Sequence, residues 1–205
     1  MPDNTTHQIL TIYRGRLNAG NGDTGIGGPL RQPLGSSPVA GQLGAKVTLS
    51  HEDAAHMSDP GVGTLYGGVY QYVYVYPTPF HAVVRGRVAF YWSAAARVAF
   101  RVTPDHPPGT GCIAGIFINA ITPGRCWFIQ TKGLATILYT GMITKTSPAA
   151  QDLVICRNND NVGEVLADAT PLTSVEVRSI LGVASEAPVG GALRLVELRP
   201  GFDNF

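Results

Sequence analysis

IAGIFINAITPGRCWFIQTKG, residues 113–133, is the stretch whose reading decides the fold. A run of β-branched and aromatic residues meets a small residue, Ala120, then Pro123-Gly124, and a second strand-like run from Cys126 to Thr131 follows. A strand, a Gly/Pro turn and a returning strand make a hairpin. From Ile180 the chain reads ILGVASEAPVGGALRLVELRPG, which places Gly182 with Gly115, Ala187 with Ala120 and Gly191 with Gly124, each 67 residues further on. The second run of each phrase, Cys126 to Thr131 and Leu193 to Leu198, falls in the same register. Two similar hairpins, 113–133 and 180–200, are expected to help close one β domain over residues 61–205.

Working outward, the clearest single strand is Val69 to Tyr76. Its period of two sets Tyr70, Tyr72, Tyr74 and Tyr76 on one face and Val69, Val73 and Val75 on the other, and Pro77 and Pro79 stop it. His81 to Trp92 and Arg97 to Thr103 read as a strand pair separated by Ser93-Ala94-Ala95-Ala96, with Val98, Phe100 and Val102 inward and Arg97 and Arg101 outward. Asp105 to Gly109 reads as the turn that closes this block. The fold class expected is all-β, a small barrel or sandwich of short strands.

Residues 1–60 read differently: a short strand from Ile9 to Leu17, a Gly/Pro-rich arm to about Ser37, and a short helix opening at Ser50, with Glu52 and Asp53 in its first turn. The arm carries too little apolar side chain for a core: in an isolated domain it reads as a flexible linker, and in an assembly as an arm extended across a neighbouring subunit.

With 205 residues the chain can bury a substantial core. Charged residues make up 14% and the formal net charge is +1, so no broad field is available to hold nucleic acid or an acidic membrane surface. The odd number and wide spacing of Cys112, Cys126 and Cys156 suit buried thiols in a reducing compartment. The opening Met1 to Thr6 lacks a secretory pattern, and no apolar run reaches the length that spans a bilayer, so the expected place of synthesis is the cytosol.

The strand, Gly turn and alternating strand from Gly115 to Gly133 resemble the capsid decoration, or cement, proteins of tailed bacteriophages, and the resemblance covers about residues 110–200. It implies a structural virion protein on the outer capsid surface, commonly a homotrimer, that binds the major capsid protein and reinforces contacts between its subunits. It implies no catalytic residue, cofactor or metal. On this reading the expected interface residues are Arg14, Arg16 and Arg31 beside the arm, and the tyrosine face Tyr70, Tyr72, Tyr74 and Tyr76. A tail or fibre-base β module shares the same composition.

A small β-barrel enzyme or ligand-binding protein would use His51, His56 or His106 and needs a pocket with convergent polar groups. His51 and His56 are five apart and do not share a helical face, and nearby Asp53 and Asp59 read as caps and solvated surface. Cys112, six residues after His106, sits in no nucleophile signature. Gly25 to Gly28 and Gly61 to Thr64 lack the Lys-Ser/Thr of a phosphate loop.

Overall fold

The structure is a computed structural model that describes residues 43–44, 46–56, 64–105, 112–139, 147–156, 164–165 and 180–198. The expected strand at residues 9–17, the Gly/Pro-rich arm, Arg14, Arg16, Arg31, Asp59 and His106 lie outside the described residues. The all-β class is observed. Among the described residues ten strands form one hydrogen-bonded sheet: β1 (Lys46–Leu49), β2 (Gly68–Val75), β3 (Val88–Tyr91), β4 (Arg101–Val102), β5 (Cys112–Phe117), β6 (Cys126–Leu138), β7 (Leu153–Ile155), β8 (Glu164–Val165), β9 (Ile180–Ala184) and β10 (Leu193–Leu198). Two short helices, α1 (His51–His56) and α2 (Ala94–Val98), accompany them.

The sheet closes on itself in its first part. β2 pairs with β6, β6 with β5 and β5 with β3, all antiparallel. Phe90 of β3 bridges Thr103, and the preceding β4 lies parallel to β2 at Tyr74 and Val75. The ring β2-β6-β5-β3-β4 is therefore a small barrel, and closure removes the exposed strand edges a flat sheet would leave. The chain then repeats the order of pairing, without a pairing of β8 back to β6 among the described residues. The second half of β6 pairs with β10, β10 with β9, β9 with β7 and β7 with β8.

The repeat extends to individual residue pairs. Ile116 faces Gln130 and Phe117 faces Ile129 in the first unit; Val183 faces Glu197 and Ala184 faces Val196 in the second, every partner 67 positions on. Val88 and Ala89 face Ile116 and Gly115; Leu153 and Val154 face Val183 and Gly182. A β-bulge follows in each, after Ala89 and after Val154. Even the entry to the second strand is matched: Gly86 and Gln151 hold left-handed φ values of 83° and 73°, and their amides donate to the carbonyls of Phe117 and Ala184. The repetition legible in the sequence as one hairpin thus spans a whole five-strand unit.

Two cores follow from this plan. Val73, Ala89, Tyr91, Phe117 and Ile129 belong to the first, and the matched Ile137, Val154, Cys156, Ala184 and Val196 belong to the second. Alternation along β3 sends Ala89 and Tyr91 into the first core and Val88 and Phe90 into the second. The β3–β5 ribbon is therefore a wall with a core on each side. The first core keeps a buried polar pair, with the Tyr91 hydroxyl 3.4 Å from Gln71 Oε1, where the second has Cys156 and Ala135.

β6 serves both units. Its residues Cys126 to Ile129 lie in the first core, and Ala135 and Ile137 in the second. Between them, Gly133 (φ 88°) faces Gly68, and a Cβ on Gly133 would sit 2.9 Å from the Gly68 Cα. Only glycine allows both the left-handed turn and that approach.

The expected strand pair differs in both runs: His81 to Trp92 is strand only over Val88–Tyr91, which pairs with β5 and meets the second run at the single bridge Phe90 to Thr103. Arg97 and Val98, expected to open the second strand, instead end a helix over Ala94–Val98, because the Ser93 side chain accepts from the Ala96 amide at 3.0 Å and three alanines follow a cap already made. Val98 consequently points outward, 81% exposed, and the expected strand shrinks to Arg101–Val102.

Candidate interaction surface

The tyrosine face divides. Tyr70 and Tyr72 are buried members of the first core; the Tyr70 hydroxyl donates to the Tyr66 carbonyl, and the Tyr72 ring lies 5.1 Å from that of Phe128. Burial pushes the Tyr70 phenol far above its ordinary pKa, against the smaller opposing pull of the Tyr66 carbonyl bond. These two are thereby removed from the expected interface. Tyr74 is half-buried with the Arg101 guanidinium 6.0 Å from its ring centroid. Tyr76 is 39% exposed and meets Trp92 edge-on at 4.8 Å.

Beyond Tyr76 the chain enters Pro77-Thr78-Pro79-Phe80-His81. Two prolines stiffen this loop, and one carboxylate fixes its end. Asp105 Oδ2 accepts from the Phe80 amide at 2.9 Å and from the Thr103 hydroxyl at 3.0 Å; Oδ1 accepts from the His81 amide at 3.0 Å and lies 2.8 Å from His81 Nδ1. Partial burial raises the Asp105 pKa, but the donors from Phe80, His81 and Thr103 outweigh it and hold the carboxyl below its ordinary value. Asp105, expected only as part of a turn, is the keystone of this loop. Its partners in the loop, His81 and Phe80, are 24 and 25 residues away in the chain, so no local pattern marks them.

The clamp presents Phe80 to solvent, 96% exposed. The Tyr76 amide donates to the Val102 carbonyl, so residues 76–81 run beside 101–105, and the two segments together carry Tyr76, Phe80 and Arg101. A phenyl ring held out on a fixed loop suits protein contact, since little side-chain or loop entropy is left to lose on binding.

The residues considered for chemistry do not assemble into a metal site among the described residues. His51 is exposed on α1. The shallow cleft lined by Thr64, Tyr66, Arg85, Gln130 and Thr136 contains none of the histidines. Arg85 spans it by donating to the Thr64 carbonyl at 2.8 Å. Cys112 is half-buried, Cys126 and Cys156 are buried, and none of the three is in a disulfide. Burial pushes the Cys126 thiol up to about 11, which makes it a poor nucleophile.

A scan against known protein families finds no match. A search of curated proteins finds no match either.

Proposed function

We propose that this chain is an accessory structural protein of a virion, which docks on the outer surface of an icosahedral capsid and reinforces contacts between major capsid subunits. The observation that carries the reading is Phe80, fully displayed on a loop that Asp105 holds in place. The resemblance of Gly115 to Gly133 to phage cement proteins gives the class of partner. A β scaffold with a fixed apolar anchor acts by mass action: binding the assembled shell and not the free subunits favours the assembled state. Many copies add up even where one contact is weak.

Arg14, Arg16 and Arg31 on the N-terminal segment supply further contacts to acidic positions of the capsid subunit, and Tyr76 extends the apolar surface beside Phe80. The same surface in a tail or fibre-base module would meet a ring of subunits instead.

Co-sedimentation of the purified chain with expanded, empty shells tests the reading. The wild type pellets with the shells, and Phe80→Ala binds at least about tenfold more weakly, as expected for truncating an aromatic anchor. Wild-type protein that stays in the supernatant at every shell concentration rejects the capsid reading.

A further inference from the structure

We infer that the counterpart of the Phe80 surface is an acidic patch on a protein partner, and that Arg101 receives one of its carboxylates. The inference rests on the reading of Phe80 as a docking anchor and adds the chemistry of what that anchor meets.

The chain as a whole is balanced, with 15 Lys and Arg against 14 Asp and Glu. Its charges are not evenly placed. Residues 64–139, which span β2 to β6, hold six of the basic residues and a single acid, Asp105. Both oxygens of that carboxylate are engaged, by Phe80, His81 and Thr103. This part of the molecule therefore turns no uncommitted carboxylate toward a partner, and the excess of acid lies in the rest of the chain.

Most of the six cations are half-buried and serve the fold. Arg85 donates to the Thr64 carbonyl, Arg87 donates to the Ala82 carbonyl at 3.1 Å, and Arg125 has its Nε buried. Arg101 alone of the six is exposed. It faces Tyr74 across the β2–β4 pair, with its guanidinium 6.0 Å from that ring's centroid. A guanidinium held over a ring keeps the donors along its edge for a planar acceptor, and a carboxylate matches them with two parallel hydrogen bonds.

The apolar exposure of this unit lies in the same corner. Tyr76, Phe80 and Val98 are 39%, 96% and 81% exposed, and among the described residues no other large apolar side chain before Leu153 is exposed. Arg101 is separated from Asp105, which fixes Phe80, by about 13 Å of extended chain. A standard interface covers about 800 Å² on each partner, so the anchor and the guanidinium fit within one contact. One exposed guanidinium neutralises about one phosphate, too little to hold a nucleic acid, whose binding draws on many such contacts. A carboxylate beside an apolar recess is what this surface can satisfy.

Co-sedimentation with expanded, empty shells over about 50 to about 300 mM salt tests the inference. At low salt Arg101→Gln is expected to bind at least about fivefold more weakly than the wild type, with a shallower salt dependence. Arg101→Lys, which keeps the charge and loses the fork, falls between them. Both changes are made at an exposed side chain, and far-ultraviolet circular dichroism verifies the fold. A folded Arg101→Gln protein that binds as tightly as the wild type at every salt concentration overturns the inference and leaves the docking reading standing. A wild type that never pellets rejects that reading, and this inference with it. A fluorescein-labelled single-stranded DNA of roughly 20 nucleotides is the second probe. If the wild type binds it and Arg101→Gln does not, the partner is a nucleic acid and the acidic-protein assignment falls.

Discussion

Gly115 and Gly182 stand in the same place in the two units: a Cβ on Gly115 would strike the carbonyl oxygen of Gln130, and a Cβ on Gly182 would strike that of Glu197. In each case the obstructing oxygen belongs to the facing strand of the same hairpin, and the two oxygens are themselves matched positions. The glycines are there because the strands approach too closely for any side chain, directly beside the bulge that each unit carries.

Gly115→Ala and Gly182→Ala are accordingly expected to destabilise the protein by similar amounts, about 2–4 kcal/mol each, since backbone must move to admit the methyl group. Urea unfolding of the two variants beside the wild type measures this. A cost confined to one of them would show that the units differ where their registers agree.

Gln151 adopts the left-handed conformation that Gly86 adopts in the first unit, and an L side chain there is strained by about 1–2 kcal/mol. Gln151→Gly is expected to raise stability by about 0.5–1 kcal/mol after the added unfolded-state entropy is subtracted. Gly86→Ala runs the other way, because its Cβ would lie 2.7 Å from the Leu138 amide nitrogen. Thermal unfolding of both variants gives opposite signs if the match holds.

The Asp105 clamp makes stability depend on acid. Its folded pKa lies below the ordinary carboxylate value, so its contribution is complete above about pH 4 and is lost as pH falls through the lowered value. Asp105→Asn replaces one acceptor oxygen by a donor facing donors and is expected to cost about 1–2 kcal/mol at neutral pH. The gap in melting temperature between wild type and Asp105→Asn should narrow from about pH 5 to about pH 3. A gap that stays constant would mean that the carboxylate charge plays no part.

Thiol labelling reports on the cores. Cys112 is half-buried, while Cys126 and Cys156 are buried and the Cys126 thiol is held in its protonated form at neutral pH. Under native conditions Cys112 is expected to react first with a maleimide, and the other two only at the rate of unfolding. Mass spectrometry of the labelled peptides along a urea series resolves the order.

Much of this fold is legible in the chain, and the exceptions have identifiable causes. The glycine and strand pattern around Gly124 and Gly191 exposes the second half of the repeat because those positions need a left-handed φ, 81° and 74°, whichever side chains fill the core. The rest of the repeat is silent in sequence. Ala89 matches Val154 and Tyr91 matches Cys156, since a core position demands volume shared with its neighbours and not a particular residue. The tyrosine strand is easy to find, but its alternation does not disclose that both faces are covered at Tyr70 and Tyr72. Residues 94–98 carry a helical signal in Ser93 and three alanines that two flanking strand-like runs obscure. The Asp105 clamp is invisible to any local pattern because its partners come from the far end of a loop.

A strand that is last in one unit and first in the next leaves no place to cut. Because β6 runs unbroken from Cys126 to Leu138 through both cores, neither unit exists as a separable module, and a protease that opened one would unravel the edge of the other. The ladders that β6 makes with β2 and with β10 share one backbone, so a disturbance of either ladder is felt by the other. The molecule behaves as one stiff rivet with two heads rather than two beads on a string.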